Sequence, residues 1–105
     1  MLTKKILSLI IVFSITGCTG KTSGELYAEG VREFQQGNVN GAIVFFKNAL
    51  EKNQNYLDAR YQLARTYKAA GKYDQAANEF LKVQKQNLLL YQKILTILLQ
   101  NHRLI

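Results

Sequence analysis

At 105 residues the chain has room for one small domain, and its 48% hydrophobic content is that of an ordinary globular protein rather than a disordered one. One cysteine excludes an internal disulfide framework, and with one histidine there is no Cys/His set for zinc, so neither metal nor cofactor is expected. The formal charge is +7, and the absence of proline suits a chain that is helical from end to end.

The chain opens with Lys4 and Lys5, followed by ILSLIIVFSI (6–15), apolar apart from Ser8 and Ser14. As a helix this run would extend about 15 Å, half of a hydrocarbon core of about 30 Å, and is too short to span it. A basic start and a short apolar run ending in small residues predict a secretory signal peptide over residues 1–17. The ITGC that ends it (15–18) resembles the lipobox of bacterial lipoproteins. There an aliphatic residue, a small or polar one and a Gly or Ala precede an invariant cysteine. The resemblance implies that the Cys18 thiol carries a diacylglyceryl group, and that the chain is cut just before it and acylated on the new amino group. One buried acyl chain holds a protein only marginally, at about 0.8 kcal/mol per CH₂, whereas two or three hold it firmly. Residues 18–24 then read as the lipidated cysteine and a small, polar, flexible tether. In that family an aspartate after the cysteine marks inner-membrane retention. Thr19 stands there instead, which implies the outer membrane, facing the periplasm.

From Glu25 the pattern changes. Gly37 and Gly71, Ala42 and Ala76, Phe46 and Phe80, and Asn53 and Asn87 are pairs separated by one constant interval of 34 residues. Apolar stripes of helical period run through Leu26, Tyr27, Gly30, Val31 and Phe34, and through Ala42, Ile43, Phe45, Phe46, Ala49 and Leu50. They recur through Leu63, Ala64, Tyr67 and Ala70, and through Ala76, Ala77, Phe80, Leu81 and Val83. Gly37 and Gly71 are placed to stop the first helix of each pair in a left-handed turn. Asn38 or Asn40, and Asp74, are candidate caps for the second helices. Gly30, Ala42, Ala64 and Ala76 allow close approach, with Phe46 and Phe80 filling the groove opposite.

This register resembles the tetratricopeptide repeat, W-x2-L-G-x2-Y, then A-x3-F-x2-A, then P. The second copy carries Leu63, Ala64, Tyr67, Ala76 and Phe80 at the motif positions, with Arg60 for the Trp and Val83 for the last Ala. The first carries Gly30, Ala42, Phe46 and Ala49, with Leu26 for the Trp, and departs at Glu29 and Glu33; Gln54 and Leu88 stand where each proline belongs. The implied architecture is all-α, two repeats over 25–87 plus a terminal helix, after a lipoprotein signal peptide.

Residues 88–105 change composition, with no acidic side chain from Phe80 onward. In LLLYQKILTILL (88–99) the polar Gln92, Lys93 and Thr96, with Gln100 just beyond, fall on a stripe about 100° wide. Three readings stand: a capping or third-repeat helix, the latter beginning near Tyr91; a homo-oligomer seam; or a changed reading frame near Asn87 in a truncated remnant of a longer repeat protein. About three repeats are normally needed for stability, which keeps the last reading open.

Repeats of this kind form a superhelix whose first helices line a concave groove. The resemblance places Tyr27, Val31 and Phe34 of the first copy, and Asp58, Tyr61, Gln62, Arg65 and Lys68 of the second, on that groove. Rings beside cations suit a peptide bearing carboxylates, although the same residues read equally as a solvated face and core packing. Charge is uneven, with 18–59 near balance and 60–105 strongly basic. That favours anionic partners, but no nucleic-acid module is visible. Glu25, Glu29 and Glu33 recur every four residues and read as a solvated, mutually repelling edge. No nucleophile, metalloprotease or P-loop motif occurs, so no enzyme is expected.

Lipobox, tether and repeats together resemble bacterial tetratricopeptide-repeat lipoproteins, most closely the amino-terminal part of those accompanying exopolysaccharide and exosortase (PEP-CTERM) systems. An AEG start, GAI and FKNAL in the second helix, and ARYQLA followed by YDQA are typical of them. The implied function is an envelope scaffold binding another envelope protein or peptide, with a pilus or secretion assembly factor as the alternative.

Overall fold

The structure, a computed structural model, describes residues 20–103. The predicted signal peptide and Cys18 lie outside them. Four helices follow one another: α1 (Ser23–Gln35), α2 (Val39–Lys52), α3 (Leu57–Ala69) and α4 (Tyr73–Arg103). Among the described residues the fold is all-α. The first two helices pack as one hairpin, the last two as another, and α2 joins them by packing on α3.

The start of α1 is a capping box. The Thr22 side chain accepts from the Glu25 backbone N–H at 3.2 Å, and the Glu25 carboxylate accepts from the Thr22 N–H at 2.8 Å. Ser23 and Gly24, assigned above to the tether, therefore form the first turn of α1, and the tether shortens to the residues before Thr22.

Both hairpin turns are built alike. In the first, Gly37 takes φ 82°, its N–H donates to the Phe34 carbonyl, and the Asn38 N–H donates to that of Glu33. In the second, Gly71 takes φ 75°, with Gly71 donating to Lys68 and Lys72 to Tyr67. Each is a Schellman closure, for which glycine bears no Cβ penalty. Asn38 caps α2 through the Gly41 N–H at 3.1 Å. Asp74 does not cap α4: the Lys72 carbonyl accepts the first helical bond from Ala76, and Asp74 sits inside the first turn. There its charge still complements the helix dipole.

Leu26, Ala42, Ile43, Phe46, Ala49, Leu50, Ala59, Leu63, Tyr67 and Ala76 form one continuous core. Phe46 is fully buried, and so is Thr66, whose hydroxyl donates to the Gln62 carbonyl at 2.6 Å. Arg60, standing for the motif tryptophan, does another job. It donates to the Glu79 carboxylate and to the Gln54 carbonyl, each at 2.9 Å, and so ties α3 to both α4 and the α2–α3 loop.

The three glutamates of α1 are not a repelling edge. Glu25 serves the cap, Glu29 pairs with Lys21 and Arg32, and Glu33 accepts from the Asn38 amide. Each carboxylate has its own donor, so the spacing sets partners rather than repulsion.

The expected break after Asn87 is absent. In the first copy Asn53, Gln54 and Asn55 turn the chain, the Asn53 side chain accepting from the Asn55 N–H at 3.1 Å. At the equivalent place the second copy has Asn87, Leu88 and Leu89, with no glycine after Gly71 and no proline. Leucine is a strong helix former, so α4 runs on as a single helix of 31 residues. Residues 88–103 neither fold back over the flank nor begin a third repeat near Tyr91.

Candidate functional site

Three helices meet around a shallow depression of about 460 Å³ lined by Phe34 of α1, Tyr61, Arg65, Lys68 and Ala69 of α3, and Tyr73 and Phe80 of α4. The Tyr61 ring meets Phe80 edge-on, centroids 5.8 Å apart. Arg65 sits 6.0 Å from the Phe34 ring centroid, close enough for cation–π attraction, and donates to the Gln62 side-chain oxygen at 3.3 Å. Tyr61 is half-exposed, Tyr73 more so, and Arg65 and Lys68 are exposed. Four aromatic rings and two cations line the depression, and no carboxylate does.

Helix periodicity explains the arrangement. Tyr61, Arg65 and Lys68 fall at i, i+4 and i+7 on α3, on the side away from Leu63, Tyr67 and the core. Phe80, one repeat after Phe46, reaches the same face from α4. Of the residues expected on the groove, Phe34, Tyr61, Arg65 and Lys68 come together here. Tyr27 and Val31 pack against the core instead; the Tyr27 ring lies 5.9 Å from Phe46 and 5.1 Å from Tyr56. That packing pushes the Tyr56 phenol up, chiefly through burial, with Tyr27 and Asp58 adding to it. Asp58 is exposed in the first turn of α3, and Gln62 accepts from Arg65 without lining the depression. Ala69, Tyr73 and Phe80 were not expected on the groove, the sequence pattern placing Phe80 in helix-pair packing. The signal for Ala69 and Tyr73 was positional: they flank the Gly71 turn, which brings the end of α3 and the start of α4 to one rim.

Among the described residues no group of three His, Cys, Asp or Glu is placed to hold a metal ion. The tetratricopeptide-repeat family profile matches residues 33–96, more than half of the chain. The chain belongs to the tetratricopeptide-repeat family. A comparison with curated proteins finds no match. The matched stretch runs past Asn87, so family likeness does not end where composition shifts. Tetratricopeptide-repeat proteins are generally non-catalytic scaffolds for protein–protein interaction. The depression offers rings for stacking and cations for charge-assisted hydrogen bonds.

Proposed function

We propose that this tetratricopeptide-repeat chain is a lipid-anchored scaffold of the bacterial cell envelope, docking an acidic, aromatic-bearing segment of another envelope protein between α1, α3 and α4. The observation that carries the reading is the depression itself, with Arg65 and Lys68 beside Phe34, Tyr61, Tyr73 and Phe80 and no carboxylate on its lining. A carboxylate entering it meets two exposed cations, and an aromatic side chain meets the Tyr61–Phe80 pair. The lipobox-like ITGC before Cys18 supports anchorage, and Thr19 after it supports the outer membrane as destination. A role in polysaccharide export or assembly follows from the resemblance of the whole arrangement to lipoproteins of those systems. The family match continuing to residue 96 favours this over a reading frame that changes near Asn87.

Two measurements test the halves separately. Radiolabelled palmitate should mark the chain in growing cells and vanish with Cys18→Ser; an unlabelled parent chain defeats the anchor. For the groove, fluorescence anisotropy with short peptides alternating Asp or Glu with Phe or Tyr should give saturable binding, weakened at least tenfold by Arg65→Glu with Lys68→Glu. Binding indifferent to both substitutions would remove the groove from the account.

A further inference from the structure

We propose that residues 88–101 of α4 form an antiparallel seam with the same segment of a second copy of this chain. Beyond Asn87 the helix leaves the two hairpins, and among the described residues α3 is the only helix on which any part of α4 packs. The large apolar side chains at 88–91, 94, 95 and 97–99 are each 45 to 66% exposed. Together they present on the order of 1,000 Å² of surface, beyond the roughly 300–600 Å² of the largest patch on a typical monomer and sufficient for the about 800 Å² each partner buries in a standard interface.

The shape of that surface selects the occupant. Gln92, Lys93, Thr96 and Gln100 share a stripe about 100° wide, which leaves about 260° of the helix apolar. A lipid surface covers one side of a helix and favours a strongly charged opposite face, whereas Lys93 is the single charge between Gln86 and Asn101. Nor is any helix among the described residues long and apolar enough to cross a membrane. A helix wetted along so narrow a stripe requires neighbours on two sides.

A second copy supplies both. At the foot of the segment, Leu57 of α3 with Leu89 and Leu90 of α4 forms a notch of about 340 Å³, edged by Asn55, Gln86 and Lys93. With the two-fold axis near Ile94, Leu90 and Leu98 share its face of the helix, so Leu98 of one copy lies level with Leu90 of the other, beside the open notch. Each helix is then covered by its counterpart on one side and by the edge of the other copy's second hairpin on another. A two-fold seam is self-complementary, so both notches fill. Antiparallel pairing also opposes the helix dipoles and sends the two hairpin bodies to opposite ends. Parallel pairing would crowd the bodies together and leave both notches empty. None of this depends on the lipid anchor.

The test is photo-cross-linking in bacterial cells expressing the full chain with p-benzoylphenylalanine in place of Leu98. The expected product has twice the chain's mass, with the cross-link mapped to residues 55–61 or 86–93 of the other copy. Leu90→Glu should lower its yield at least tenfold, while Thr96→Glu, on the polar stripe, should leave it within twofold. Both sites lie outside the core, so the helical circular dichroism of the hairpins serves as the folding control. A probe that labels only lipid or a different protein, no doubled-mass product, or a product indifferent to Leu90→Glu would each overturn the proposal.

Discussion

The Phe46 ring occupies the space that a side chain on residue 30 would need: a Cβ built on Gly30 would stand 2.6 Å from Phe46 Cε1. Because Phe46 is fully buried, its ring cannot swing aside into solvent. Gly30→Ala should therefore cost about 1–2 kcal/mol, overpacking outweighing a gain of roughly 1 kcal/mol in helix propensity. Gly24→Ala meets its nearest atom at 4.0 Å and should instead be neutral or stabilising by up to about 1 kcal/mol. Urea denaturation of the pair gives opposite signs if contact, not glycine content, decides.

Gly71 is required for a different reason. Nothing lies within 4 Å of its absent Cβ, but its φ is 75°. Gly71→Ala should cost about 1–2 kcal/mol through backbone conformation alone, and Gly71→Asn less, since asparagine tolerates that region better. Equal losses for the two variants, read by thermal unfolding, would contradict this account.

Arg60 and Glu79 form a largely buried pair, their side chains 15% and 12% exposed. Glu79→Ala should cost about 2–4 kcal/mol because the Arg60 charge loses its carboxylate, and Arg60→Ala less, because Glu79 keeps Lys82 at 2.7 Å. Arg60→Met with Glu79→Leu should recover a large part of that loss. A double-mutant cycle checks it, with a coupling energy above about 1 kcal/mol expected.

The Glu25 carboxylate is held below the usual range, first by the hydrogen bond from the Thr22 backbone N–H and then by the Thr22 hydroxyl. A depressed carboxylate adds stability that is fully present above its unfolded value, about 4.3, and is lost as pH falls through the folded value. The wild-type chain should therefore lose more stability than Glu25→Gln on acidification from pH 6 to pH 3. Parallel urea titrations at the two pH values measure the difference.

Arg65 and Lys68 are exposed and outside the core, so reversing their charge should change stability by no more than about 0.5 kcal/mol. Binding of an acidic peptide should weaken markedly from 0.05 M to 0.5 M salt, as exposed charges are screened. Arg65→Gln with Lys68→Gln should remove that salt dependence, and the two glutamate substitutions should reverse its sign, read by anisotropy at each ionic strength.

Much of the architecture was readable because the repeat interval fixes register: Gly37 and Gly71 turn where expected, and Phe46, Leu63 and Tyr67 are core residues. The misreadings came where a residue's partner lay off the pattern. Thr22 and Glu25 make a local box that the small, polar composition of 19–24 disguised. Glu29 and Glu33 found donors in Lys21 and Asn38, eight and five residues away, with only Arg32 at helical spacing from Glu29. Tyr27 and Val31 share a stripe with Phe34, but only Phe34 lies near enough to the end of α1 to reach Arg65. After Asn87 the repeat interval itself stops applying, because Leu88 and Leu89 replace Gln54 and Asn55 of the turn in the first copy.

The uninterrupted α4 joins a clamped half to a free half. Up to about Asn87 it is fixed by α3, whereas beyond it the backbone is held by its own i to i+4 bonds, and an isolated helix of about 15 residues is marginal in water. Order in the outer half is therefore on loan from whatever covers it. Amide hydrogen exchange along 88–101 should act as an occupancy gauge, slow when the seam is filled and fast when it is vacant, while exchange along 73–86 keeps one pace throughout.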